Sequence, residues 1–383
     1  MSEAGPGAGC LVGMSGGVDS SVSALLVSRL TRACGATLLL AAGAADERSR
    51  RNVSDARAVC DVIGIEHVTV DALDHFSTKV EARFADEYRA GRTPNPCVDC
   101  NRLVKFPDLL AAARSRGLSH VASGHYARIT QDARSGRWQL SRGRDVHKDQ
   151  SYMLYGLTQD MLAHTLLPLG DRSKDEVRAI AREGGLPVAE KPESQDICFI
   201  PSGDYVRFLE GRAQAPAEPG RVTDVSGRIL GEHDGLWSYT VGQRRGIGIP
   251  SSEPYYVVAK DVVRNVLVVG RRKDCEVAGC IVFDVNWVSV TGVGCATSVE
   301  VKTRYRQRPV SATLTPGAVA PQEEPVWRRS LSTDPGDFGR DETSCAVTVV
   351  FDEPLGGVAP GQACVFYRGD LVLGGGTIGR TFG

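Results

Sequence analysis

No apolar run in this 383-residue sequence reaches the ~20 residues that span a bilayer, so no membrane segment is expected. The opening MSEAGPGAGCLVG has no basic stretch ahead of its apolar residues, and its first apolar run reads as a strand. Neither a secretory signal nor an Arg-rich transit peptide is expected. Dense cysteine spacing is missing too. The eleven cysteines are odd in number and scattered over the whole chain, which points to a reducing compartment and so to the cytoplasm. An excess of positive charge is absent: 45 Lys and Arg against 46 Asp and Glu give a formal net charge of -1, which argues against coating a polyanion through bulk charge. The chain shows no internal repeat.

What is present is an ordinary globular composition, 42% apolar and 24% charged, over a length sufficient for two or three domains. To about residue 205, short apolar strands alternate with amphipathic helices. CLVG precedes a helix over 20–30 with Val22, Leu25 and Leu26 on one face; ATLLLA precedes a helix around 53–63; HVTV and HVASG supply further strands. The alternation predicts an α/β domain over 1–205, with a parallel sheet covered on both faces. After Tyr205, turns and short β runs take over. GRVTDVSGRILGEH and the hairpin YYVVAKDVVRNVLVVG predict a small central β domain over 206–271. From Arg272, the strands EVKTRYR, CAVTVVFDEP and QACVFYRGDLVLGGGTIG predict a C-terminal β-barrel over 272–383, interrupted by a polar stretch near 316–340 read as a long mobile loop. Basic clusters at Arg244 and Arg245, at Arg271, Arg272 and Lys273, and at Arg304, Arg306 and Arg308 fit either a positive face or ordinary solvated surface.

The strongest local signal is Gly13-Met14-Ser15-Gly16-Gly17-Val18-Asp19-Ser20-Ser21, placed between the first strand and the first helix. Glycines let the backbone turn tightly against a ligand, and the free amides and dipole of a helix start attract phosphate. Serine hydroxyls can add hydrogen bonds, and Asp19 can help hold a magnesium ion. The Lys-Ser/Thr ending of a Walker loop is missing. The loop resembles the SGGxDS pyrophosphate loop of enzymes that cleave ATP to AMP and pyrophosphate, which implies adenylation of an oxygen but not which substrate carries it.

A second signal is Thr93-Pro94-Asn95-Pro96-Cys97-Val98-Asp99-Cys100-Asn101, two thiols three residues apart behind a proline-stiffened turn and followed by Arg102 and Lys105. This spacing sets both thiols on one side of a helical turn, and a helix start is expected to lower their pKa toward the reactive thiolate. An isolated CxxC is also compatible with zinc, a redox pair or coincidence, and no second CxxC or paired histidines complete a zinc site. Cys198, in Ser194-Gln195-Asp196-Ile197-Cys198-Phe199-Ile200-Pro201, reads by default as a small buried apolar residue.

Taken in order, GMSGGVDSS, AGRTPNP, CNRLVKF, SGHYAR, KDQSYMLY, SQDICFIP, GQRRGIG, KTRYRQ and PGQACVFY resemble the tRNA-specific 2-thiouridylase family over most of the chain. The resemblance implies an adenine-nucleotide-hydrolase type catalytic domain, a small central β domain and a C-terminal β-barrel that helps grip tRNA. It implies ATP-dependent replacement of the 2-oxygen of the wobble uridine by sulfur. Gly13, Met14, Ser15, Gly16, Gly17, Val18, Asp19 and Ser20 would bind ATP, with Gly124 near the nucleotide and Mg2+ accompanying it. Asn95, Pro96 and Cys97 would lie against the flipped base, since a base must leave its stack before its 2-oxygen can be adenylated. His125, Lys148, Asp149, Gln150, Arg304, Tyr305 and Gln362 match tRNA-contacting positions. Cys198 would carry a persulfide delivered by a sulfur-donor protein, and Cys100 would free that sulfur, as hydrogen sulfide or by forming a disulfide with Cys198. A monomer is expected in the absence of tRNA.

Two positions depart from the family pattern. Many members carry an aspartate, proposed as a general acid or base, where this chain has Cys97, and Asp99 two residues on is no automatic substitute. With Cys97, Cys100 and Cys198 all thiols, a second mechanism is open, in which they hold a [4Fe-4S] cluster whose unligated iron binds sulfide. The segment LLLAAGAADERSRR replaces a Met-Lys/Arg-Asn/Thr-Trp stretch, which leaves the adenine contacts undefined. The rival readings are another pyrophosphate-loop synthetase or ligase, which gives no reason for the three cysteines, and a tRNA-binding protein whose catalysis has decayed.

Overall fold

The computed structural model describes residues 9–40, 46–192, 197–200, 204–213, 217–317 and 346–383. Most of the polar stretch read as a long loop, from residue 318 on, lies outside these residues, as do Ser194, Gln195 and Asp196. Strands β1 (Cys10–Gly13), β2 (Ala33–Leu39), β3 (Glu66–Asp71), β4 (His120–Ala122) and β7 (Thr165–Leu166) form a parallel sheet in the order β3-β2-β1-β4-β7. Apolar side chains leave both faces of these strands. One face packs with Phe106, Leu109 and Tyr152. The other packs with Val18, Val22 and Leu25 of the helix Val18–Ser28 and with Val59 of the helix Asp46–Ile63. The strand order reverses between β1 and β4, and in open parallel sheets ligands bind in the crevice beyond the strand ends at such a switch point.

Residues β5 (Ala127–Gln131) and β6 (Trp138–Arg142) form a hairpin that leaves the parallel sheet and joins a different one. Strands β12 (Glu276–Trp287), β15 (Val347–Gly356), β14 (Val310–Pro316), β13 (Thr297–Lys302), β16 (Ala363–Arg368) and β17 (Leu371–Phe382) run antiparallel and close on themselves through a β12–β17 pairing, giving a six-stranded barrel. The β5–β6 hairpin extends it, with Leu371 opposite Ser141. Alternate barrel residues such as Val299, Val301, Leu314, Phe366 and Ile378 point inward, as a period of two requires.

Between these bodies, β8 (Gly220–Asp224), β9 (Ile229–His233), β10 (Tyr256–Asp261) and β11 (Val266–Gly270) make a four-stranded sheet in the order β10-β11-β8-β9 around Val222, Leu236, Val257 and Leu267. The chain just before it corrects the sequence reading. Residues Tyr205–Ala213 form a helix rather than the start of the β region. Tyr205, Phe208 and Leu209 stand at i, i+3 and i+4, and that stripe packs on Phe76, Phe84 and Phe199. Arg212 donates to the Ser77 carbonyl at 2.7 Å and fixes the far end.

Candidate active site

The glycine loop leaves β1 at the switch point. Gly16 has φ +68°, and a Cβ there would lie 2.7 Å from the Asn52 carbonyl oxygen of the helix Asp46–Ile63. Gly17 is the N-cap of Val18–Ser28 and offers no capping side chain, so the first amides of that helix face outward without an internal acceptor from the cap. Ser20 Oγ donates to the Gly17 carbonyl at 3.0 Å and accepts from the Ser15 amide at 3.1 Å, which holds the loop as a cradle. Lys191 ties the Gly16 carbonyl, at 2.8 Å, to Asp55.

Asp19 accepts at one carboxylate oxygen from Tyr126 Oη and from Lys174 Nζ, both at 2.7 Å. Tyr126 lies within SGHYAR, but neither it nor Lys174 stood out as a site residue, because their importance arises only when β4 and the helix Lys174–Glu183 come beside the loop. Gly124 sits against the loop, and a Cβ there would be 2.8 Å from the Asp19 carbonyl carbon and the Ser20 amide nitrogen. Gly124→Ala therefore has to displace backbone at a cost of about 1–3 kcal/mol, and ATP affinity measured by titration calorimetry is expected to fall about tenfold or more. Unchanged ATP affinity would remove Gly124 from the nucleotide site.

Pro96–Cys100 is a short helix capped by Asn95, whose side-chain oxygen accepts from the Val98 amide at 3.4 Å. Cys97 is exposed on it, while Pro96, Asp99 and Cys100 are buried. The expectation of thiols acidified by a helix start is corrected. Although Cys97 reaches solvent, the protein crowded around its thiol raises its pKa, and full burial pushes Cys100 up to about 12. Asp99 is held in a buried pair with Arg83 at 3.3 Å, where burial raises its carboxyl and Arg83 and Arg102 pull it back down. It stands in no position to replace the missing aspartate.

The default reading of Cys198 is also corrected: its neighbours Phe199 and Ile200 are buried and the thiol is exposed. Phe199 and Ile200 share one apolar cluster with Cys100 and Val104, so the Cys198 segment lies against the CxxC helix. Cys100 and Cys198 are both free thiols; Cys198 raises the pKa of Cys100, and Cys97 raises that of Cys198. Two segments flank the glycine loop. Arg48, whose charge lowers the Cys198 thiol, is one turn before Asn52, which abuts Gly16. On the other side Gly124 abuts Ser20, and the adjoining His125 ring lies 5.9 Å from that of Phe106. His125 shares a 2.8 Å hydrogen bond with Ser123, and burial lowers its pKa to about 3, so the imidazole is neutral at physiological pH.

The segment around KDQSYMLY joins the thiol site to the barrel. Met153 takes contacts from Asn95 and Asn101, Tyr152 donates to the Ala363 carbonyl at 2.9 Å, and its ring lies 6.1 Å from that of Tyr305. Asp149 is buried and accepts from the Gly143 and Ser151 amides, and Gln150 accepts from the Tyr126 amide at 3.0 Å; both shape the turn that carries half-buried Lys148. Gln362 donates to the carbonyls of Thr93 at 2.8 Å and Pro94 at 3.2 Å, bracing the loop before Asn95. Arg304, Arg306 and Arg308 are exposed on the β13–β14 connection of the barrel, and Arg244 and Arg245 on the loop before β10.

Among the described residues, no three His, Cys, Asp or Glu side chains are gathered as a single metal ion requires; Cys97, Cys100 and Cys198 nevertheless lie near enough to act on one another electrostatically, and three thiols are a donor set that suits a [4Fe-4S] cluster. Magnesium asks less of the protein, because it keeps waters and takes ligands from substrate phosphates, so the single carboxylate of Asp19 suits it. Among the described residues no helix is long and apolar enough to cross a membrane.

Three family models match the chain in succession: a tRNA methyl transferase HUP domain over residues 9–202, a tRNA methyl transferase PRC-barrel domain over 207–271, and an aminomethyltransferase beta-barrel domain over 340–378. A tRNA-specific 2-thiouridylase MnmA of Heliobacterium modesticaldum is 42% identical over 378 residues, covering 97% of this chain and 92% of the relative. Proteins of the same name from Moorella thermoacetica and Gloeothece citriformis are 43% and 42% identical, each over 96% of this chain and 98% of their own length. With nearly the full length aligned at that identity and the parallel-sheet domain matched from β1 onward, the chain belongs to the tRNA-specific 2-thiouridylase family.

Proposed function

We propose that this protein replaces the 2-oxygen of the wobble uridine of tRNA with sulfur, using ATP with magnesium, in the cytoplasm and acting as a monomer. What supports the reading is a glycine loop shaped for phosphate at the switch point of the sheet, together with a segment carrying exposed Cys198 that packs on the helix of buried Cys100. Uridine's 2-oxygen is a poor leaving group. Its attack on the α-phosphorus of ATP expels pyrophosphate and makes C2 susceptible to a sulfur nucleophile. Cys198 carries a persulfide received from a sulfur-donor protein. In one route its terminal sulfur bonds to C2, AMP leaves, and the Cys100 thiolate attacks Cys198 Sγ, releasing 2-thiouridine. In the other, Cys100 attacks Cys198 Sγ first and the freed hydrogen sulfide displaces AMP. Both end with a Cys100–Cys198 disulfide and need a thiol reductant to supply two electrons per turnover. Gln362 braces the loop that presents Asn95 and Cys97 to the base, while exposed Arg304 and half-buried Tyr305 and Lys148 meet the tRNA.

Purified protein given ATP, magnesium, a persulfide source and tRNA with an unmodified wobble uridine is expected to form 2-thiouridine together with AMP and pyrophosphate. Iron and sulfide analysis after anaerobic purification is expected to find no cluster. Thiolation that requires four irons per chain would overturn the persulfide route while leaving the substrate assignment standing.

A further inference from the structure

Lys105 is tied to the thiol site by backbone geometry. The helix Pro96–Cys100 continues through a π turn, Asn101–Lys105, before Phe106–Ser115, and the Phe106 amide closes that turn on the Asn101 carbonyl. An unbroken α-helix advances about 100° per residue, which would leave position 105 about 140° around from Cys100. A π turn takes up one additional residue, and such turns concentrate at functional sites. Position 105 then falls where an α-helix places the fourth residue after Cys100 and the seventh after Cys97, about 40° and 20° from them. The π turn thus puts the lysine on the cysteine face.

Lys105 is half-buried, and among the described residues its ammonium has no hydrogen bond or ion pair. A half-buried ammonium without a carboxylate is costly unless an anion arrives to meet it. The groups within its field are Cys97, Cys100, Cys198 and His125. It lowers all three thiols against the burial that raises them, and it helps keep His125 neutral. Asp99 opposes it at Cys97 and Cys100, and Arg48 adds to it at Cys198 alone. The aromatic groups packed around the Cys198 segment, Phe76, Phe84 and Phe208, carry no charge.

We propose that Lys105 is the positioning residue of sulfur transfer, its ammonium holding the sulfur anion as it passes from Cys198 to the activated base and as Cys100 attacks. The proposal rests on the persulfide reading above. Lys105 makes and breaks no bond. It compensates the negative charge that a buried site otherwise disfavours, in a position fixed before substrate binds.

The test uses the full-length chain, free of ATP and tRNA, as Lys105→Gln and Lys105→Arg. Alkylation of Cys198 by iodoacetamide is followed from pH 7 to 11 by mass spectrometry of its peptide. In Lys105→Gln the midpoint is expected to move up by about one pH unit, so that alkylation at neutral pH slows about tenfold. Lys105→Arg should restore most of it. Single-turnover formation of 2-thiouridine should fall about tenfold in Lys105→Gln with tRNA affinity within about twofold. If Lys105→Gln fails to fold, Lys105→Met, which keeps the apolar stem, carries the same readout. An unmoved alkylation midpoint, or an arginine variant no better than glutamine, overturns the proposal. Because alkylation needs no sulfur transfer, a shifted midpoint in a protein that thiolates without Cys198 would sink the persulfide reading and spare the role of Lys105 in setting the thiol.

Discussion

Cys198→Ala should bring 2-thiouridine formation below detection, on the order of 10^3-fold or more, while leaving tRNA affinity within about twofold. The side chain is exposed, so its removal opens no cavity, and the flanking Phe199 and Ile200 keep the segment packed. Binding by filter retention and product by mass spectrometry of the nucleosides separate the two effects. Pyrophosphate should still be released once, with AMP left bonded to the 2-oxygen, because adenylation precedes sulfur attack. Ordinary turnover by this variant would end the assignment of Cys198 as sulfur carrier. The same substitution at Cys97, which lies outside the proposed relay, should cost far less.

Asp284→Ala should lower stability by about 3–5 kcal/mol, because it strips the partner from a buried guanidinium. Asp284 on β12 accepts from Arg102 Nη1 at 2.8 Å, both side chains being nearly inaccessible. Arg102 belongs to the π turn that carries Lys105, so the pair fastens the barrel to the thiol helix. The backbone at Asp284 has φ +54°, a conformation that costs alanine roughly 1–2 kcal/mol and asparagine much less. Asp284→Asn should therefore recover part of the stability, and the urea midpoints of the three proteins should rank native, asparagine, alanine. An alanine variant as stable as the native chain would mean that Arg102 finds compensation elsewhere, and the proposed fastening would fall.

The parallel sheet, the two β regions and the phosphate loop were legible in the sequence because each depends on local pattern. Apolar runs with period two or 3.6 forecast strands and helices wherever burial is one-sided, and GMSGGVDSS announces its conformation through glycines that the fold then uses at φ +68° and at a helix start. The helix Tyr205–Ala213 was missed because nine residues with only three apolar anchors carry a weak periodic signal beside a strong change of grammar. The transfer of β5 and β6 to the barrel sheet was invisible, since a hairpin's sequence specifies its own pairing and not the edge it joins.

By itself the sequence determined the family, the order of the domains and the residue types that do chemistry: glycines and serines for phosphate, thiols for sulfur. Only the tertiary structure decided which of those residues are available. It buried Asp99 against Arg83, exposed Cys198 and occupied Asp149 and Gln362 with backbone partners. Solvation, charge and reach depend on what packs around a group, and the atoms that pack around these come from segments up to 270 residues apart along the chain, roughly, whose juxtaposition no local pattern encodes.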